Sequence, residues 1–272
     1  MILEVSQLFI YPIKSLGGIE LQSSELTPTG LRYDRRWMLV NEEGRFLSQR
    51  EESRMALLAV NLHEQSLQVY SKENPGSRVE IPFLKKNEME NHPRISVSIW
   101  DDQCTALIYP DAIGAWFSDI LGQSCRLVYM DDSVQRRVDG KYARNNEITS
   151  FSDAYPILMI GQASFDDLNA RLPAPIPINR FRPNLVFTGG TPFLEDEMNT
   201  FIIRDKEYKA VKPCARCVIP TIDQATGLKG DEPTRTLATY RLRDRKILFG
   251  QNVLVPGEGL IAVGDRIRLK GQ

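Results

Sequence analysis

The chain has 272 residues, 42% of them hydrophobic and 25% charged, enough apolar material for one large core or two smaller ones, which excludes disorder over most of its length. With 34 Lys and Arg against 35 Asp and Glu there is no global field, so neither nucleic acid nor a membrane surface is an expected partner and any anion site must be a local concentration of cations. Four cysteines are too few for a disulfide framework, and with neither a signal-peptide pattern in Met1 to Tyr11 nor a long apolar run, a reduced, cytoplasmic setting is expected.

The first third reads as short strands between turns: Glu4 to Tyr11, Ile19 to Leu26, Arg36 to Asn41, Phe46 to Gln49, Leu57 to Leu62 and Ser66 to Ser71. Most alternate apolar and polar residues, the period of a half-buried strand. Glu42-Glu43-Gly44 sits between two of them as a hairpin turn. An amphipathic helix is predicted from Asp111 to Leu121, with Ile113, Trp116, Phe117 and Ile120 on one face, Asp111 as cap and Gly122 as stop. The tract from Met130 to Thr149, carrying Arg136, Arg137, Lys141 and Arg144, reads as a mobile basic loop and a domain boundary. A second helix is predicted from Gln162 to Leu172, ended by the proline-rich stretch from Pro173, and a third from Thr234 to Arg243. Further strands are expected at Asn184 to Thr188, Thr200 to Ile203, Glu207 to Val211, Cys217 to Ile222, Asn252 to Val255 and Leu260 to Val263. Many short strands with few helices point to a mainly β chain (α+β), a barrel or sandwich decorated by helices.

Val211 to Gly227 is the most informative segment for chemistry. It places Cys214 and Cys217 three apart, with Arg216 between them and Lys212 just before. A thiolate is the reactive and metal-binding form of cysteine, and neighbouring cations favour it. Soft thiolates suit zinc, copper(I), iron–sulfur centres and, by the same argument, high-valent molybdenum. Cys217 is the better ligand candidate because it is expected to begin a strand. A zinc site needs two more ligands, while His63 and His92 are distant and Cys104 and Cys125 read as buried small hydrophobes. A thioredoxin-like pair would need a following helix, against which Pro220 argues.

A second constellation is basic: Lys14-Ser15 after the first strand, Asp34-Arg35-Arg36-Trp37 opening another, and Arg180-Phe181-Arg182-Pro183-Asn184 before a third. Cations from three strand ends can converge on a phosphate in a barrel mouth, although each taken singly is more often a solvated surface charge or a strand-end salt bridge. There is no glycine-rich phosphate loop and no nucleophile elbow, so nicotinamide, NTP and serine-hydrolase chemistry have no support.

At these residues the chain resembles the MOSC family, and within it the branch of the mitochondrial amidoxime-reducing component and its bacterial relatives. The matching blocks are Tyr11 to Ser15, Asp34 to Trp37, Phe151 to Pro156, Phe181 to Val186, Lys212 to Cys217, Thr221 to Gly227, Phe249 to Asn252 and Val263 to Asp265, in family order. The resemblance implies an N-terminal MOSC β-barrel-like domain over residues 1–125 and a MOSC barrel over 126–272. It also implies a molybdenum–molybdopterin cofactor whose one protein ligand is Cys217. By the same likeness Lys14, Ser15, Arg35, Arg182 and Asn184 hold the pterin and its phosphate with Arg216 nearby, and Asp153 lies close to the metal as a catalytic proton relay. The branch reduces N-hydroxylated small molecules. Some bacterial relatives carry a C-terminal ferredoxin-like domain that is not in this sequence, so electrons are expected from a separate flavin or iron–sulfur protein. Ala154 and Tyr155 stand where mitochondrial members place small hydroxyl side chains. The competing function is a non-catalytic carrier of cofactor or sulfur using Cys214 and Cys217; a structural zinc protein is the third.

Overall fold

A computed structural model describes residues 2–143 and 145–270. Its largest sheet closes on itself. In ring order the strands are Ile157–Gly161, Leu185–Thr188, Leu3–Ile10, Arg266–Leu269, Thr200–Ile203, Lys206–Ala215 and Lys246–Leu254, the last pairing back onto the first. Closure leaves no open edge, which is how small antiparallel barrels satisfy every ladder. All neighbours run antiparallel except Ile157–Gly161 with Leu185–Thr188, which are parallel. Val5, Leu8, Ile10, Met159, Phe187, Phe201, Tyr208 and Val253 fill the interior.

A second core lies in the N-terminal half. It packs a four-stranded sheet (Trp37–Val40, Arg126–Tyr129, Asp102–Ile108, Arg94–Ile99) and a three-stranded one (Leu58–Leu62, Ser66–Ser71, Arg78–Pro82) around Trp37, Leu39, Leu58, Leu67, Val69 and Phe117. Ser66–Ser71 shows why: Leu67, Val69 and Ser71 are buried and the residues between them are not, the period of two that one buried face requires. Helix Asp111–Leu121 forms at its expected bounds, burying Ile113, Phe117 and Leu121. Each such side chain contributes about 1.5–3 kcal/mol by leaving water. Gly122 ends the helix in the left-handed conformation at φ 65°, although Pro110, not Asp111, is the cap. Pairing crosses the 125/126 division in both directions: Leu3–Ile10 joins the C-terminal barrel, and Arg126–Tyr129 joins the sheet of the N-terminal half. No described helix is long and apolar enough to cross a membrane.

Five local expectations need correction. Ile19 to Leu26 is two strands, Ile19–Leu21 on Leu3–Ile10 and Ser23–Thr27 on Gly259–Ala262, because the two pieces serve different sheets. Phe46 to Gln49 makes only an isolated bridge, Val40 to Phe46, before turning. The third helix stops at Tyr240, and Leu242–Arg243 instead pairs with Lys246–Ile247 across a hairpin whose turn residues Asp244 and Arg245 have positive φ. Cys217 does not begin a strand: the ladder ends at Ala215, and Ile219–Thr221 is a 3-10 turn that accommodates Pro220. Finally, the basic tract from Met130 to Thr149 lacks regular strands and helices but is packed in part: Val134, Arg136 and Val138 are buried, while Arg137 and Lys141 are exposed. Arg144 lies outside the described residues.

Candidate functional site

Lys14 and Ser15 follow the first barrel strand in a tight turn. The Lys14 amide donates to the Trp37 carbonyl, and Ser15 holds φ 70° while its carbonyl accepts from the Gln49 side chain. Arg35 has φ 50° and Arg182 φ 55°. Left-handed backbone is uncommon for non-glycine residues and persists where surrounding contacts over-determine it, often at ligand sites. The contacts here run between the two halves of the chain. Arg35 Nη2 donates to the Arg182 carbonyl at 3.2 Å and Arg182 Nη1 to the Leu16 carbonyl at 2.7 Å, while both guanidiniums lie within 4.3 Å of the Tyr11 ring centre. Asn184 stitches two barrel strands, accepting from the Leu158 amide and donating to the Phe9 carbonyl.

The strand Lys206–Ala215 brings the cysteines. Its register against Lys246–Leu254 shifts between Ala210 and Lys212 and again between Pro213 and Ala215, and such bulges bend a strand and re-aim its side chains. The Arg216 amide donates to the Ile247 carbonyl, after which the chain leaves the sheet and presents Cys217. Each thiol has its own guanidinium: Arg216 Nη1 lies 3.2 Å from Cys214 Sγ, and Arg50 Nη2 lies 3.3 Å from Cys217 Sγ.

These segments enclose a single pocket. All eight residues singled out from the sequence line it: Lys14, Ser15, Arg35, Asp153, Arg182, Asn184, Arg216 and Cys217. Five cations, the fifth being Arg50, face one lining carboxylate, that of Asp153. Asp34, buried behind Arg35 at 2.6 Å, offsets one of them, and the excess that remains, with Lys14 and Arg182 buried, suits an anion. Arg216 Nε is buried with no partner, an unfilled donor in the same wall. A soft thiol beside a polyanion cradle fits a phosphate-bearing pterin with one metal–sulfur bond. Among the described residues no group of three or more His, Cys, Asp or Glu gathers, so the zinc reading lacks its ligands.

The comparisons agree with that chemistry. The model of the MOSC N-terminal beta barrel domain matches residues 2–124, and the model of the MOSC domain matches 146–268. The chain is a MOSC protein. It is 33% identical to the mitochondrial amidoxime-reducing component 1 of Mus musculus over 98% of this chain and 82% of that one. It is 34% identical to the mitochondrial amidoxime reducing component 2 of Rattus norvegicus, over 97% and 82%. A molybdenum cofactor sulfurase of Oryza sativa subsp. japonica is 30% identical over 91% of this chain but only 32% of its own length. Function in this MOSC protein is therefore linked to the molybdenum cofactor, in an oxidoreductase-type role.

Sequence reading missed three contributors. Arg50 bridges the halves, reaching both Cys217 and Asp153 Oδ2, the latter at 3.2 Å. The rule used for Lys14 and Arg182, a cation near Ser, Asp or Asn at a strand terminus, selects Ser48-Gln49-Arg50 equally well. Arg136 spends its guanidinium on Asp102 Oδ2 and the carbonyls of Ser150, Ser152 and Asp153, at 2.6–3.0 Å, and so fixes the loop carrying Asp153. Trp100 donates its indole N–H to Asp153 Oδ1 at 3.4 Å.

Electrostatics in this MOSC protein separates the roles. Burial pushes the Lys14 ammonium down to about 8, with Asp153, 2.6 Å away, partly opposing the shift. Crowding disfavours the Asp153 carboxylate, but Lys14 and Arg50 outweigh it and hold the group well below the usual range, even though 53% of its side-chain surface stays open. Asp153 is thus ionised at neutral pH, and the proton it faces resides on Lys14 Nζ. Burial also lowers Arg182 to about 10, so it remains a cation.

Proposed function

We propose that this MOSC protein is a molybdenum-cofactor-dependent reductase of N-hydroxylated small molecules, amidoximes and hydroxylamines, supplied with electrons by a separate flavin or iron–sulfur protein. The observation that carries the reading is the convergence of five cations on a pocket with the Cys217 thiol in its wall. In this reading Lys14, Ser15, Arg35, Arg182, Asn184 and Arg216 would hold the phosphate and pterin and Cys217 would ligate the metal, a reading supported by their all lining one pocket. When bound, the cofactor would supply the two-electron redox chemistry that no side chain here offers.

The chain's own residues bind, orient and supply protons. Arg50 donates to Cys217 Sγ at 3.3 Å and so fixes the direction in which the sulfur faces the pocket. Reduction of an amidoxime to an amidine consumes two electrons and two protons and releases water. Lys14 Nζ, hydrogen-bonded to Asp153 Oδ1 at 2.6 Å and titrating near neutrality, is a suitable proton reservoir. Asp153 supports it as a fixed anion rather than as the acid.

The test is metal analysis and turnover of protein made in a host competent in molybdenum-cofactor synthesis. Molybdenum should co-purify, and reduced viologen dye should drive amidoxime reduction while NADH alone does not. A molybdenum-loaded sample that stays inert to amidoximes and hydroxylamines under strong chemical reduction would overturn the reductase. The second reading, a carrier of cofactor or sulfur, would then stand on Cys214, which lines the same pocket beside Arg216.

A further inference from the structure

Trp100 sits in the turn between strands Arg94–Ile99 and Asp102–Ile108, at φ 55°. A bulky aromatic in that backbone region is an outlier. Its ring is fixed on three sides. The indole N–H reaches Asp153, the Arg50 guanidinium lies over a ring face at 4.5 Å, and Phe46 meets it edge-on at 5.0 Å. Yet 49% of the residue is exposed. Scattered exposed aromatics need no explanation. This one differs because the two polar groups that hold it, Asp153 and Arg50, are those that line the pocket beside Cys217.

We infer that Trp100 is a specificity-determining platform at the pocket rim, on which a planar aryl group of the substrate stacks, so that aryl amidoximes are preferred over alkyl ones. This rests on the reductase reading above. Arg50 lies over the indole and Phe46 meets it at 67°, and the 49% of the residue that stays exposed offers aromatic surface to a ring in offset-stacked or edge-to-face contact. A ring seated there puts its amidoxime group next to Asp153, whose oxygens accept N–H and O–H donors. An alkyl amidoxime presents the same head group without the plane.

The experiment compares benzamidoxime with acetamidoxime in the cofactor-loaded protein, using the ratio of their kcat/KM values so that differences in loading cancel. In Trp100→Ala the ratio should fall about three- to tenfold, chiefly through KM for benzamidoxime, the range expected for one lost aromatic pair. In Trp100→Phe, which keeps an aromatic face, most of the preference should remain. A ratio unchanged in Trp100→Ala overturns the platform. Fluorescence provides a readout independent of turnover. Of the three tryptophans Trp37 is buried and Trp116 packs against the N-terminal core, so benzamidoxime should quench emission in the wild type and not in Trp100→Phe. Trp100-dependent quenching in a protein that reduces neither compound keeps the platform and removes the reductase. Absence of quenching in the wild type removes the platform.

Discussion

The pocket wall drawn from Lys14, Arg35 and Arg50 carries cations and neither thiol nor carboxylate, whereas the wall drawn from Asp153, Arg182, Arg216 and Cys217 carries both reactive groups. Each nevertheless reaches backbone of the other half. Arg182 is tied to the Leu16 carbonyl and Asn184 to the Phe9 carbonyl, while Lys14 Nζ donates to the Phe151 carbonyl at 2.8 Å. Each wall is therefore anchored on backbone of the other. Lys14, Arg182 and Asn184 reach the opposite half, whereas Arg216 is held within its own by the Phe181 carbonyl, so the complete pocket forms where the two halves meet.

Removing the groups unique to one wall breaks this comparison most sharply. Cys217→Ala should abolish molybdenum retention and activity, while Cys214→Ala should leave a measurable fraction of both, as read by metal analysis. Equal losses would point to a dithiol site, and molybdenum retained in Cys217→Ala would dismiss it as the ligand.

Smaller effects are expected from single cations, because four remain when one is lost. Lys14→Ala, Arg35→Ala and Arg182→Ala should each weaken cofactor retention by about 2–5 kcal/mol, roughly 30-fold to several thousand-fold, the usual penalty for truncating one partner of a buried charge contact. Thermal melts should show folded protein in each case. Wild-type cofactor content in all three would remove the cationic wall from the site.

The smallest effect sharpens the role of Lys14. Its ammonium is pushed down to about 8, so raising the pH through that value removes one of the five cations. A bound anion stabilises the charged form, hence binding takes up a proton and affinity must fall as pH rises. Binding of sulfate, which does not itself titrate, should weaken about tenfold between pH 7 and 9 by this linkage. Lys14→Arg, charged throughout, should flatten the profile. An equal slope in wild type and Lys14→Arg would place the titration elsewhere.

The difference between the walls also bears on what could be read in advance. Cys214 and Cys217 announce themselves by spacing, Lys14, Ser15, Arg35, Arg182 and Asn184 by their place at strand ends, and Asp153 only through the family resemblance; all of them line one pocket. Arg50 meets the same strand-end rule but lies outside every block that carries the family resemblance, and Arg136 gives no such signal. The polar tract around Arg136 reads as a mobile basic loop, whereas four hydrogen bonds hold Arg136 beneath the Asp153 loop. Cys217 was chosen on the expectation that it starts a strand. It lies instead just beyond a strand end, where Arg50, 167 residues away, reaches it.

Local period and punctuation suffice for helix Asp111–Leu121, for the alternation of Ser66–Ser71 and for a mainly β chain, because those features depend on neighbours within a few residues. Barrel closure, the exchange of Leu3–Ile10 and Arg126–Tyr129 between halves, and the roles of Arg50, Trp100 and Arg136 were decided only by tertiary structure. The contacts that create them join residues tens to more than a hundred positions apart, and no periodicity in a sequence window records which distant carbonyl, ring or thiol a guanidinium will meet.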